Sequence, residues 1–190
     1  MKLAKLSTVI ALGIFLASGV RAQEAKPAEA AAPSGPVSNP VSSTVKQQLA
    51  RFSKIMVAAA EAMPAEKYNF KPTPEMSTFG HLTIHISQGN TMLCSRVSGM
   101  TAPDAAKMAD TDPKDKLVAG MKASFDFCAT ALANVDDSKL SDPMVLFGNR
   151  PSSRAGAMIA LNGSWSDHYS QEAMYLRLSG ILPPTAQATH

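Results

Sequence analysis

The chain has 190 residues, 45% of them hydrophobic, with a formal net charge of +3 and two cysteines. Lys2, Lys5 and Arg21 fall in the first 22 residues, which hold no acid, so the remainder is neutral. Without a basic surface there is no electrostatic ground for nucleic-acid binding, and no repeat at a solenoid period marks an array.

The first 22 residues read as a secretory signal peptide. Lys2 and Lys5 precede the apolar run Leu6–Leu16, and Val20-Arg21-Ala22 places small residues before a cleavage point after Ala22. The run is shorter than the roughly 20 apolar residues a bilayer span needs, and no cysteine follows it to carry a lipid. The expectation is a periplasmic or secreted protein with no stable membrane span after cleavage. Residues 23–42, "QEAKPAEAAAPSGPVSNPVS", hold four prolines among Ala, Ser and Gly. They cannot bury enough apolar surface to offset ordering, so they read as a disordered tether. Residues 43–184 form one domain of ordinary size, long enough to bury a core without metal or disulfide staples. Residues 185–190 read as a flexible tail.

Apolar residues in the domain recur at helical spacing, which predicts an all-α, four-helix bundle. Helix one covers 42–63, with Val45, Leu49, Phe52, Ile55/Met56 and Ala59 on one stripe, Ser42 or Ser43 as cap and Pro64 as terminator. Helix two runs from about Thr78 to Ser98, capped by Ser77 or Thr78, with Leu82, Ile86, Leu93 and Val97 inward. Helix three, about Lys114 to Ala133, carries Leu117, Met121, Ser124/Phe125, Cys128 and Leu132. Helix four, about Ser153 to Ser179, carries Ala157, Leu161, Trp165, His168, Tyr175 and Leu178. Gly180 is then a C′ residue, Ile181 supplies a Schellman contact, and Pro183-Pro184 stops the helix. The connectors 64–77 and 134–152 are long and proline-bearing, so sequential helices need not be antiparallel neighbours. Eleven methionines suit either an adaptable core or a pocket for an apolar ligand.

Several chemistries find no motif. There is no nucleophile elbow, Walker loop, dinucleotide glycine fingerprint or His-Glu-x-x-His. Arg150 and Arg154 read as loop solubilisers or contacts for an anionic substrate. Cys94 and Cys128 lie on helices two and three, and two readings stay open: an exported protein's disulfide, or two buried thiols. Cys94 is half a turn out of phase with His85, and no Cys-x-x-Cys is present. Nor is His190, at the chain end, given a role.

Two segments carry a family likeness: Tyr68-x-Phe70-x-Pro72-x-Pro74-Glu75 running into Thr78-Phe79-Gly80 and His85-Ile86, and His168-Tyr169 followed by Tyr175-Leu176-Arg177 and Gly180-Ile181-x-Pro183-Pro184. Together they resemble the DinB-like superfamily, which includes metal-dependent hydrolases and thiol-dependent transferases. The likeness implies a four-helix bundle, commonly a homodimer, with a divalent ion on three histidines: one from helix two and an i, i+4 pair from helix four. Residue by residue, these positions fall on His85, His168 and Ser164.

Ser164 departs from the pattern, because a neutral hydroxyl is a poor ligand for zinc, nickel or iron. Two residues are candidates to replace the imidazole. His81, one turn before His85, can share its face, or else sits at N3 of helix two facing the helix start. Glu172, one turn after His168, can offer a carboxylate, or else is solvated or dimer-facing. Asp167 is rotated about 100° from His168 and should point elsewhere. His85 and His168 are expected to converge in a shared polar pocket. The reading that follows is an exported metal-dependent hydrolase or transferase, catalytic residues and small-molecule substrate unspecified; the alternative is a non-catalytic bundle binding an apolar ligand or a protein partner.

Overall fold

The computed structural model describes residues 35–103 and 107–187. The expected leader, the tether up to Ser34 and His190 lie outside the described residues. Four helices make up the domain: α1 (Pro40–Ala62), α2 (Phe79–Ser98), α3 (Lys114–Leu132) and α4 (Arg154–Leu178). The domain is the all-α bundle expected, with one two-stranded addition.

α1 starts at Pro40, inside the segment assigned to the tether, so Ser42 and Ser43 are not its cap. The cap comes from 95 residues away. The Asp137 carboxylate accepts from the Val41 and Ser42 N–H groups at 2.9 and 2.8 Å, while Asn39 Oδ1 accepts from the Asp137 N–H at 3.2 Å. A carboxylate on two orphan donors at a helix N-terminus satisfies both hydrogen bonding and the helix dipole. Local sequence carries no trace of that cap.

At α2 the expected cap is in place: Thr78 Oγ1 accepts from the His81 N–H at 3.0 Å. The connector helps, since the Phe70 and Tyr68 carbonyls accept from the Phe79 and Gly80 N–H groups. Ser153 caps α4 through the Gly156 N–H. α4 ends as the sequence predicts, with Gly180 at φ 78° and the Ile181 N–H donating to the Leu176 carbonyl. Thr185, expected in the tail, is docked: its N–H donates to Tyr169 Oη at 3.0 Å, and Tyr169 Oη lies 2.8 Å from its Oγ1.

α1 packs on α3 and α4, and α2 packs on the same two helices. The order around the bundle is therefore α1, α3, α2, α4: of the three sequential pairs, α2/α3 are neighbours while α1/α2 and α3/α4 sit on diagonals. That explains the long connectors, which must cross the bundle end. The second contains an unexpected antiparallel hairpin, β1 (Pro143–Leu146) and β2 (Arg150–Ser153), turning through Gly148 and Asn149 with positive φ.

Most predicted stripe residues lie in the core, with Met56, Met121, Leu161 and Trp165 essentially inaccessible, and Met63 and Leu176 join them there. Met56, Met63, Met121 and Met158 pack the interior, whereas Met100 and Met174 are exposed. Leu178 is an exception, exposed at 58%, because it lies 200° around the helix from buried Leu176. A buried polar chain crosses three helices: Trp165 Nε1–H donates to Asn90 Oδ1 at 2.7 Å, and Asn90 Nδ2–H donates to Ser124 Oγ at 3.1 Å. Cys94 and Cys128 form a disulfide that staples α2 to α3. Among the described residues no helix is long and apolar enough to cross a membrane.

Candidate functional site

α2 and α4 run antiparallel, and their contacts fix a register. Phe79 meets Tyr175 at 5.8 Å between ring centroids, His85 meets His168 at 5.0 Å, and Asn90 meets Trp165 through the hydrogen bond above. The two histidines converge because these helices pair at that level. Aromatic packing fixes the turn on one side and a buried hydrogen bond fixes the turn on the other.

The pair lies at the rim of the helix interface, so the enclosed pocket expected from sequence is not what forms. His85 is exposed and His168 is half-buried. Helical phase explains this: His85 sits between the buried runs Leu82–Ile84 and Ile86–Ser87 on the outward side of α2. The rings meet edge to face, at 83°. Ser164, one turn before His168, has its Oγ 3.1 Å from His168 Nδ1. The hydroxyl in the family's third ligand position thus holds a histidine. Burial, followed by the neighbouring His85, lowers the His168 pKa below its ordinary value and favours the neutral imidazole.

The two proposed substitutes go elsewhere. His81 points its Nδ1 at Asp110, 3.2 Å away, half-exposed on the α2–α3 side. Glu172 is neither solvated nor dimer-facing; it is fully buried, and neither carboxyl oxygen has a partner. Burial drives its pKa well above the ordinary carboxyl value, and its charge in turn raises that of Tyr68, whose own burial is the larger cause. Helical phase could have revealed this, since Glu172 lies seven residues after Trp165 and four before Leu176, both inaccessible. Asp167 faces solvent and accepts from Gln171 Nε2–H at 2.9 Å.

The arginines are structural. Arg154 donates to the Val97 carbonyl and faces Asp142 at 3.6 Å, and Arg150 Nε–H donates to the Phe147 carbonyl. A surface cleft of about 380 Å³ is lined by Ser98, Met100, Thr130, Asn134, Lys139 and Arg154, away from the histidines.

The donor set can be tested against an ion. At a metal–nitrogen distance of about 2.1 Å, two imidazoles near a tetrahedral angle place their ring centroids about 5 Å apart, and His85 and His168 stand at 5.0 Å. With Nδ1 of His168 engaged by Ser164, its Nε2 is the free nitrogen, the usual outer-shell arrangement of a ligating histidine. The ring separation is therefore compatible with two imidazoles on one ion. Among the described residues no three His, Cys, Asp or Glu side chains converge closely enough to enclose an ion.

A family model described as the DinB superfamily matches residues 48–171. The fold is similar to a DinB-like protein from Bacillus subtilis, at 16% identity and TM-score 0.62, covering 77% of this chain and 99% of that one. It is similar also to a DinB-like protein from Bacillus cereus, at 16% identity and TM-score 0.62 over 75% of this chain and 95% of the other. A conserved protein from Enterococcus faecalis matches at 15% identity and TM-score 0.57, covering 73% and 96%. No curated protein matches. With the bundle, the paired histidines and a family model spanning most of the domain, the chain belongs to the DinB superfamily.

Proposed function

We propose that this protein is an exported, divalent-metal-dependent hydrolase or transferase of the DinB superfamily, with His85 and His168 as metal ligands. The observation that carries the reading is the convergence of these two rings at 5.0 Å from helices 83 residues apart in the chain. A bound zinc, nickel or iron ion would supply Lewis acidity and an activated water. The chain's own residues do the rest. Ser164 fixes the His168 ring and leaves Nε2 free to ligate, burial keeps that ring neutral, and the exposure of His85 leaves an open side for substrate. The leader-like residues 1–22 support export, which makes a cytosolic thiol an awkward co-substrate and favours hydrolysis over thiol transfer. Homodimerisation is part of the proposal and rests on the family likeness.

The test is metal content of untagged protein after loading with zinc, nickel or iron. One equivalent per chain is expected in the wild type, lost in both His85→Ala and His168→Ala. A wild type that takes up no stoichiometric metal from any of the three would overturn the reading in favour of a non-catalytic bundle, the alternative that Ser164 supports.

A further inference from the structure

The inward face of α4 is apolar, as a bundle helix requires, but much of its outward face is apolar too. Ile159, Met174 and Leu178 are exposed at 67%, 39% and 58%, and Gly163 and Ser170 lie between them, also exposed. At 100° per residue these five fall within about 100° of arc. The outward sides of α1 and α3 are charged by contrast, with Arg51, Lys54 and Glu61 on the first and Lys116, Lys122 and Asp126 on the second. Nothing within the chain calls for glycine at 163: a Cβ there would meet nothing within 4 Å, and glycine destabilises a helix interior relative to alanine. The same arc holds two charges, Asp167 and Arg177, both exposed. Neither joins an ion pair among the described residues.

We infer that the outward face of α4 is a self-association surface, on which a second copy of this chain packs its own α4 antiparallel about a two-fold axis midway between positions 167 and 177. Charge complementarity selects that partner and that direction. The axis sets Asp167 opposite the partner's Arg177 and Arg177 opposite the partner's Asp167, so the two unpaired charges meet their complements twice, as an isologous interface requires. About 15 Å of helix separates the two levels, which keeps like charges apart. A parallel pairing in register would instead set Asp167 against the partner's Asp167. The same antiparallel register puts Ser170 opposite the partner's Met174, and Gly163 leaves room toward the partner's Leu178. Apolar surface that a single copy leaves in water is then buried on both. His168 lies about 100° around the helix from Asp167, on the side of α2, so the histidine pair stays outside this interface and open. The inference rests on the homodimer proposed above and names its face; it does not depend on an ion.

The test is sedimentation equilibrium of the purified chain over a micromolar concentration range. It compares the wild type with Asp167→Arg, Arg177→Asp, the two combined, Met174→Glu, and Ala123→Glu on the exposed side of α3, across the bundle. All these positions are exposed, and far-UV circular dichroism establishes folding of each variant. The wild type should be dimeric. Each single charge reversal, and Met174→Glu, should weaken dimerisation by about tenfold or more, because like charges then face each other or an acid enters the apolar contact. Combining the two reversals should return the affinity to within a few-fold of the wild type, and Ala123→Glu should leave it unchanged. If the single α4 variants dimerise as tightly as the wild type, the inference falls and the homodimer stands on another face. If they weaken it and the combined variant does not recover, the antiparallel pairing falls. If the wild type is a monomer throughout, the inference and the homodimer fall together.

Discussion

In the metal-free protein, Glu172→Leu should raise stability at neutral pH, and the magnitude follows from where the carboxyl sits. An unfolded glutamate titrates at about 4.3, and each pH unit of displacement is worth about 1.36 kcal/mol, so holding the group protonated at pH 7 costs at most about 3.7 kcal/mol. Burial raises the folded pKa well above the ordinary value, which sets the sign of the effect within that limit. The sign follows from the same shift. Stability linked to a raised pKa is complete below the unfolded value of about 4.3 and is lost as pH rises through the folded one. Leucine removes the titration and fills a similar volume at a repacking cost of about 1 kcal/mol. A net gain at pH 7 is expected, at most about 2–3 kcal/mol or roughly 5–10 °C in Tm. The assay is urea unfolding followed by the fluorescence of Trp165, the chain's single tryptophan, inaccessible in the core. Subtracting the variant's stability from the wild type's at each pH cancels the opposite contributions of the exposed carboxylates. The reasoning is refuted if the variant is less stable than the wild type at pH 7, or if the difference between them is flat from pH 4.5 to 8.

Two further outcomes follow from the same structure. Reducing the Cys94–Cys128 disulfide opens a loop with a sequence separation of 34, which should cost about 3–4 kcal/mol on the chain-entropy account. A melt with and without reductant should differ by roughly 10 °C; equal melts would mean that the link contributes nothing. Ser164→His restores the family's i, i+4 histidine pair on α4 and should tighten zinc binding by about 100-fold or more, read by competition titration; unchanged affinity would show that position 164 does not address the ion.

The helices were legible because their signals are local. Val45, Leu49, Phe52 and Met56 declare a stripe within four turns, Thr78 caps its own helix, and Gly180 ends one. What escaped was set by distance in the chain or by brevity. Pro40 reads as tether punctuation until Asp137, far along the chain, accepts the Val41 and Ser42 N–H groups and turns that proline into the first residue of α1. The hairpin at 143–153 has strands of four residues each, too short for alternation to stand out, although Gly148-Asn149 was a turn signal in plain sight. The diagonal arrangement of α1/α2 and α3/α4 was allowed by connector length and decided only by packing.

The site divides along the same line. His85 and His168 were found through motif likeness at the two ends of the domain, and the helix register brings their rings together. An imidazole among apolar residues reads as inward-facing, whereas the phase of α2 turns His85 outward. Glu172 departs from its sequence pattern in the opposite direction. A carboxyl on a helix is read as solvated because burying it is costly, yet Trp165, Glu172 and Leu176 occupy one face, and that face is the core. A sequence normally agrees with its fold at every level, and the positions that break agreement are where function is held. Here the same short stretch of α4 breaks it three times: a half-buried imidazole, a hydroxyl where a ligand is expected, and an acid in the interior. These fall at 164, 168 and 172, one per turn along α4: the first two are joined by a hydrogen bond at the rim of the helix interface, and the third lies one turn further on inside the core.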